Sequence, residues 1–279
     1  MLTQVGIGSV VRNQRAQVCS LVGRISSRRY ASNKEQPKIQ LQHLGVSVDL
    51  YVHPAKQSLP SWFSSPRMRF RGVIRRLGAL FQNTVMIAQF RMKSKIKPRF
   101  QEWKNLAITN YVDANKAFVS NNLDSMKNRM SVWVYESLKN RRESIPQGTQ
   151  LDWKLVKFNS TPKIMCIQPM MLPDTPLHHL MIVYRMDTKQ RLAKISPGET
   201  EAQKIDRDVV DYMAFIYDAS KTPADTIIAG SLFETPLNAP RPNPMNSDMN
   251  EKMMLLSMKE KGDIFRSPPQ AIQPPSPQN

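Results

Sequence analysis

The chain has 279 residues, of which 41% are hydrophobic, and a formal net charge of +18. This length suits one domain of ordinary size with extensions, and so much charge favours a polyanionic partner, because self-repulsion opposes a compact state. No stretch approaches the roughly 20 apolar residues that span a bilayer, since the nearest, Leu77 to Phe90, is interrupted by polar amides. Any membrane attachment is therefore expected to be peripheral.

Positive charge is concentrated in the amino-terminal part of the chain. Residues 1–101 contain 18 Lys or Arg and two acids, whereas the rest of the chain nets only +2. Such asymmetry points to an interaction surface for nucleic acid or anionic lipid.

The first 30 residues have the composition of a mitochondrial presequence. They contain five arginines, several serines and no acid, which is typical of a transit peptide. Cleavage is expected after Tyr30, so that the mature protein begins at Ala31. Cys19 then leaves with the presequence and Cys166 stands alone, which fits a reducing compartment such as the matrix.

Residues 31–65 are predicted to be an irregular lead-in that holds one extended piece at 45–52. Ser65 followed by Pro66 predicts a helix start, with the serine hydroxyl as cap. The helical period then places an apolar stripe on the side expected to face the core: Phe70, Val73, Ile74, Leu77, Leu80, Phe81, Val85, Ile87 and Ala88. The opposite side carries Arg71, Arg75, Arg76, Gln82 and Asn83.

Two further helices and a run of strands follow. A helix is predicted from about Pro98 to Phe118, and another from Leu123 to Arg142. Residues 149–235 are rich in β-branched and alternating apolar residues, and turn-forming residues are predicted to separate the strands at Pro162, Pro173, Asp187 to Gln190, and Pro223. Helices followed by strands predict an α+β class, with the helices packed on one face of an antiparallel sheet.

The predicted organisation is therefore a presequence at 1–30, a lead-in at 31–65 and an α+β domain at 66–235 that binds nucleic acid or anionic lipid. Residues 236–266 form a proline-rich linker and a short Met-rich helix, and residues 267–279 have the composition of a disordered tail.

No catalytic or metal-binding constellation is predicted. His178 and His179 are adjacent, so in a strand they point to opposite faces. Asp206 and Asp208 share a face but offer too few oxygen ligands for a hard cation, and Cys166 lies in an apolar run typical of an inert buried thiol. The sequence thus predicts a protein that is not an enzyme and has no cofactor, although a cavity enclosed by the sheet would reopen the question.

Two groups of cations are the candidate binding residues. The arginines of the first helix can grip anionic lipid headgroups such as those of cardiolipin, and this group is Arg67, Arg69, Arg71, Arg75 and Arg76. The second group occupies every second position of the segment between the first two predicted helices. This segment is predicted to be extended, so that its cations project to one side along an RNA backbone: Arg91, Lys93, Lys95, Lys97 and Arg99. The alternative for both groups is a solvated face that keeps the protein soluble.

Several long stretches resemble the fungal Mba family of mitochondrial inner-membrane ribosome receptors. They are HLGVSVDLYVHP, VIRRLGALFQNTV, IKPRFQEWKNLAI, STPKIMCIQPMMLPDTPLHHLMIVYRMDTKQRL, DRDVVDYMAFIYD, GSLFETP and KGDIFRSPP. The resemblance implies helices on a curved antiparallel sheet, as in the carboxy-terminal domain of the presequence-translocase motor anchor and in a large-subunit mitoribosomal protein of animals.

The resemblance also implies a function and a location. The expected protein is peripheral on the matrix side of the inner membrane. It tethers the large mitochondrial ribosomal subunit, through rRNA and tunnel-exit proteins, to an Oxa-type insertase for co-translational insertion of mitochondrially encoded membrane proteins. An integral protein of the large mitochondrial subunit is the alternative.

Overall fold

The computed structural model describes residues 40–55, 58–63, 65–172, 176–197, 202–240 and 250–268. The predicted presequence, with its cleavage site between Tyr30 and Ala31, lies outside these residues. So does nearly all of the predicted tail, from residue 269 onwards.

Four helices carry the α part of the fold. They are α1 (Pro66–Ser94), α2 (Phe100–Val119), α3 (Val132–Glu143) and α4 (Glu251–Gly262). At 29 residues, α1 is about 43 Å long, given a rise of about 1.5 Å per residue. It begins at Pro66 as predicted, but the Ser65 hydroxyl makes no capping hydrogen bond.

The predicted third helix is interrupted. A 3-10 helix covers Leu123–Arg129, and α3 starts only at Val132. Between them Met130 pairs with Ile228 of the sheet, and the backbone amide of Ser131 donates to the Ile228 carbonyl at 2.9 Å. The Ser131 hydroxyl then caps α3 by accepting from the Val134 amide at 3.3 Å. Pairing with the sheet thus outweighs the continuous helical period of the sequence.

The β part is one open antiparallel sheet with strand order β1-β2-β3-β4. The strands are β1 (Gln150–Met170), β2 (His179–Ile195), β3 (Gln203–Asp218) and β4 (Asp225–Leu232). Four register shifts interrupt the pairing of β1 with β2, and such bulges bend a strand. Helices and an antiparallel sheet confirm the predicted α+β class.

The strands are longer than predicted. Pro162 does not end β1, because it lies on an edge strand at a register shift, where a missing N–H group removes no ladder hydrogen bond. Residues 187–190 were expected to form a turn but lie in the middle of β2, paired on both sides. Ladder hydrogen bonds on two sides outweigh the weak turn preference of this polar run.

Two hydrophobic cores lie on opposite faces of the sheet. Alternate residues of β2, from Leu180 to Met186, pack against α2 and α3. The residues between them pack under the extended segment 46–52, whose Val46, Leu50 and Val52 are buried. The predicted extended piece is therefore a covering layer, held where the Thr235 amide donates to the Val52 carbonyl at 2.9 Å.

Candidate functional site

Helix α1 buries a narrow face of small and polar residues and exposes its apolar stripe. Its buried residues are Gly72, Ala79, Asn83 and Phe90. The prediction that the apolar stripe faces the core is wrong for Phe70, Leu77 and Phe81, which are 60%, 61% and 72% exposed. Helical periodicity locates an apolar stripe, but it does not tell which side of the helix the rest of the protein covers.

The exposed apolar surface runs along most of α1 and begins before it. Trp62 and Phe63, which precede the helix, are also exposed. Further exposed side chains of the stripe are Val73, Ile74, Leu80, Val85 and Met92. An exposed apolar patch of this kind is typical of an interaction site.

Asn83 explains how α1 is attached to the sheet. Its Nδ2 donates to the Met165 carbonyl at 3.1 Å, and its Oδ1 accepts from the Ile167 amide at 3.0 Å. Both groups belong to β1, an edge strand whose outer backbone groups would otherwise have no partner in the sheet. Sequence reasoning placed Asn83 on the outer polar side. Asn83 lies on the same side of α1 as the small residues Gly72 and Ala79. That spacing was the signal in the sequence for a buried polar contact.

Arginines border both sides of the apolar stripe. By helical spacing, Arg67, Arg71 and Arg75 follow one border, and Arg69 and Arg76 follow the other. Arg67 and Arg71 are exposed.

Two of the other arginines also contact the protein itself. Arg69 lies over the Trp62 ring, 5.2 Å from its centroid, and donates to the Pro60 carbonyl at 3.0 Å. Arg75 donates to the Ala239 carbonyl at 3.0 Å. These contacts fix the bordering cations in place, next to apolar side chains that face away from the domain.

The charge of Arg76 acts on a buried histidine, His53. Burial lowers the pKa of His53, the Arg76 charge lowers it further, and the Glu234 carboxylate opposes both effects. Glu234 also accepts hydrogen bonds from the Ala55 amide, at 3.2 Å, and from the Tyr212 hydroxyl. The Ala55 hydrogen bond joins the segment before α1 to the residues after β4, whereas α1 itself is attached to the domain through Arg75 and Asn83.

The second cationic group does not lie on the extended connection that was predicted. Arg91 and Lys93 belong to α1 and, two helical positions apart, point in different directions. Lys95 ends the helix in a left-handed conformation with φ of 59°. Lys97 lies in the loop, and Arg99 approaches Glu102 at 3.4 Å. All five cations are exposed, and their role in RNA binding stays a prediction.

An open cleft of about 610 Å³ lies beside this loop, lined by residues that include Lys97, Arg99, Phe100, Trp103 and Lys221. Its acid, Glu102, is already engaged by Arg99. Lys221 is held by Asp225 at 2.5 Å. The lining of this cleft therefore offers no general base paired with a nucleophile.

The residues that the sequence analysis considered for metal binding or catalysis and rejected have structural roles. Asp206 accepts from Arg191 across the sheet at 2.6 Å, so Arg191 is its counterion. Within the described ranges, no group of three or more His, Cys, Asp or Glu side chains is placed to hold a metal ion. Cys166 is buried, and burial raises the pKa of its thiol to about 12, as expected for an inert thiol.

Comparison with known proteins identifies the family. The profile of the MBA1-like protein family matches residues 30–270. The chain belongs to the MBA1-like family. A relative from Saccharomyces cerevisiae, named inner membrane mitoribosome receptor MBA1, is 42% identical over 235 residues, which cover 84% of this chain and 83% of the relative. The resemblance seen in the sequence is thereby confirmed.

The relationship also bears on location. The relative is named as a mitochondrial inner-membrane protein, which confirms the inner-membrane part of the location expected from the sequence. None of the described helices is long and apolar enough to cross a bilayer. The relative is named as a receptor.

Proposed function

We propose that the protein is a peripheral receptor on the matrix side of the inner membrane. It tethers the large mitochondrial ribosomal subunit near its tunnel exit to an Oxa-type insertase, so that mitochondrially encoded membrane proteins are inserted as they are synthesised. The family relationship and the name of the yeast relative support the ribosome-binding part. The observation that carries the membrane part is the exposed apolar stripe of α1 between its two borders of arginine.

The geometry of α1 suits a helix lying in the plane of the membrane interface. In such helices the apolar face enters the boundary between headgroups and acyl chains, and cations beside it bind anionic headgroups. Phe70, Leu77 and Phe81 are the deepest residues of this arrangement, and Arg67 and Arg71 are free to reach lipid phosphates. Anionic lipid such as cardiolipin is the expected surface.

The opposite side of α1 is attached to the domain through Asn83 and Phe90. A membrane-bound α1 therefore leaves the sheet and the loop at residues 95–99 exposed to the matrix, where a ribosome can be bound. Lys95, Lys97 and Arg99 are candidates for that contact.

The alternative function, an integral ribosomal protein, explains less. Ribosomal RNA binds cations but gives no apolar cover to Phe70, Leu77 and Phe81, because its surface is dominated by phosphate charge. A membrane supplies both the anionic charge and the apolar cover.

Vesicle flotation tests the membrane part. The variant Phe70→Gln/Leu77→Gln/Phe81→Gln is expected to lose more than about tenfold in partitioning onto cardiolipin-containing vesicles, since burial of each large apolar side chain contributes on the order of 1 to 3 kcal/mol. Binding to purified large mitochondrial ribosomal subunits should persist, and circular dichroism should be unchanged.

A matched control comes from α4. Met253, Leu255 and Leu256 are also exposed apolar residues, and replacing these three by glutamine should leave flotation unchanged. Equal flotation of both variants and the wild-type protein would show that α1 does not enter the membrane. Failure of the wild-type protein to bind ribosomal subunits would overturn the receptor function itself.

A further inference from the structure

The pairing of β1 with β2 places like charges directly opposite each other three times. Lys154 lies opposite Arg191, Lys157 opposite Lys189, and Lys163 opposite Arg185. Arg185, Lys189 and Arg191 are separated by even numbers of residues on a strand that pairs with β3 without register shifts, so all three share one face. Their partners on β1 therefore share that face too.

Like charges directly opposite each other on one face of a sheet are unfavourable. Nearby acidic side chains or an anionic partner can offset this repulsion. On β2 the compensation is present. Arg191 is bound by Asp206 at 2.6 Å, and Arg185 by Asp187 at 2.9 Å. Lys189 lies opposite Asp208 of β3.

The three lysines of β1 have no such compensation. Lys154, Lys157 and Lys163 are exposed, and within the described part of the chain none of them forms an ion pair. Asp152, the one acid of β1, is two residues before Lys154 and forms no ion pair in that part either. A row of three uncompensated cations thus lies along the edge strand β1, before the part of that edge that Asn83 covers at Met165.

The register shifts of β1 create this row. Lys154 and Lys157 are three positions apart, so regular alternation would place them on opposite faces. The shift between Leu155 and Lys157 brings both lysines to one face. The row runs beside β2 from Arg185 to Arg191, which are six positions apart, and is therefore about 20 Å long.

We propose that Lys154, Lys157 and Lys163 form a binding surface for the phosphate backbone of structured RNA. This inference rests on the proposed ribosome-binding function and identifies the surface by which RNA is bound. Lysine ammonium groups bind phosphates as point charges, and double-stranded RNA is recognised largely through its backbone and shape. A stretch of about 20 Å of nucleic-acid duplex presents on the order of ten phosphates.

The same surface is unsuited to a membrane. Between Lys154 and Lys163, Val156 is the one large apolar residue that is exposed. The row therefore lacks an apolar stripe like the one beside the arginines of α1. The two basic regions therefore have different partners, with lipid bound by α1 and RNA backbone bound by β1.

The test compares two triple variants with the same change in charge. Lys154→Gln/Lys157→Gln/Lys163→Gln removes the row, and Lys116→Gln/Lys139→Gln/Lys252→Gln removes three exposed lysines from α2, α3 and α4. Binding to a short RNA duplex and to purified large mitochondrial subunits is measured across a salt series. Unfolding by urea checks both folds, and the first variant should be at least as stable as the wild-type protein because like charges are removed.

The row variant is expected to lose at least about tenfold in RNA affinity. The slope of log affinity against log salt should fall by about two in magnitude, because each lost phosphate contact removes roughly 0.7 to 0.9. The control variant should keep most of the wild-type slope. Flotation with cardiolipin-containing vesicles should be unchanged in both.

Equal RNA binding by the two variants would overturn the proposal and leave the receptor function intact. Loss of vesicle flotation without loss of RNA binding would also overturn it, since the row would then bind lipid. If the wild-type protein binds the duplex through this row but ignores ribosomal subunits, the receptor function fails and the RNA surface stands.

Discussion

The Asn83 side chain of α1 covers the edge of β1 at Met165 as a neighbouring strand would. It donates to the Met165 carbonyl at 3.1 Å and accepts from the Ile167 amide at 3.0 Å. One amide thereby satisfies two backbone groups that the sheet leaves without a strand partner. The contact also sets the rotation of α1, because it fixes which side of the helix faces the domain and so which side faces outward.

Replacing Asn83 by leucine should therefore destabilise the protein. The side chain is similar in size, but the Met165 carbonyl and the Ile167 amide lose their partner in a buried site. We expect the free energy of unfolding to fall by about 1 to 3 kcal/mol, measured by urea denaturation. Gln89→Leu, an exposed position of the same helix, is the control and should change stability by less than about 0.5 kcal/mol. Equal effects would show that the amide contact does not hold α1.

Substitutions of two arginines of α1 should differ in their effect on the stability of the protein. Arg75 donates to carbonyl groups of Pro236 and Ala239, whereas Arg71 is exposed at the same border of the stripe. We expect Arg75→Glu to lower the free energy of unfolding by about 1 kcal/mol and Arg71→Glu to leave it nearly unchanged. Urea denaturation of both variants gives the comparison. A larger loss for Arg71→Glu would contradict the observed placement of the two side chains.

His53 should make stability depend on pH. Its pKa is lowered in the folded protein, chiefly by burial and then by Arg76, from the ordinary value of 6.5. The unfolded chain therefore binds a proton at higher pH than the folded protein does. Stability from this group is present above pH 6.5 and is lost as pH falls through the lowered pKa.

Unfolding measured between about pH 8 and pH 5 checks this expectation. The wild-type protein should lose stability on the acid side, and His53→Gln should lose less over the same interval. Identical pH dependence in the two proteins would show that His53 is not the group that titrates.

Cys166 should be chemically silent in the folded protein. It is buried, and burial raises the pKa of its thiol to about 12, so the reactive thiolate is scarce at neutral pH. With the protein beginning at Ala31, which lacks Cys19, we expect negligible labelling by a maleimide in buffer and one label in denaturant. Rapid labelling of the native protein would show that this core opens readily.

Sequence patterns predicted the elements better than their orientation. The start of α1, the α2 helix and the antiparallel sheet follow from local signals at Pro66, from a helical period and from β-branched runs. The outward face of Phe70 and Phe81 does not follow, because an apolar stripe looks the same whether a core or an external partner covers it. The inward position of Asn83 depends on a backbone edge more than 80 residues away.

The basic surfaces show the same limit. Arginines were found at α1 because they are close together in sequence. The row on β1 was missed because Lys154 and Lys157 have the spacing of opposite faces, and only the register shift between them brings both to one side. Pairing with a strand 30 or so residues later decides this register, so local alternation cannot reveal it.

Gly230 is where α4 meets the sheet, and replacing it should test how much α4 contributes to stability. Its φ is 150°, and a Cβ atom there would lie 2.4 Å from the carbonyl oxygen of Lys261, so the end of α4 would have to move. We expect Gly230→Ala to lower the free energy of unfolding by at least about 2 kcal/mol, measured by urea denaturation. Gly78→Ala is the same chemical change inside α1, where alanine favours the helix by up to about 1 kcal/mol, so it should stabilise the protein or leave it unchanged. If Gly230→Ala is as stable as the wild-type protein, then α4 does not pack closely on β4.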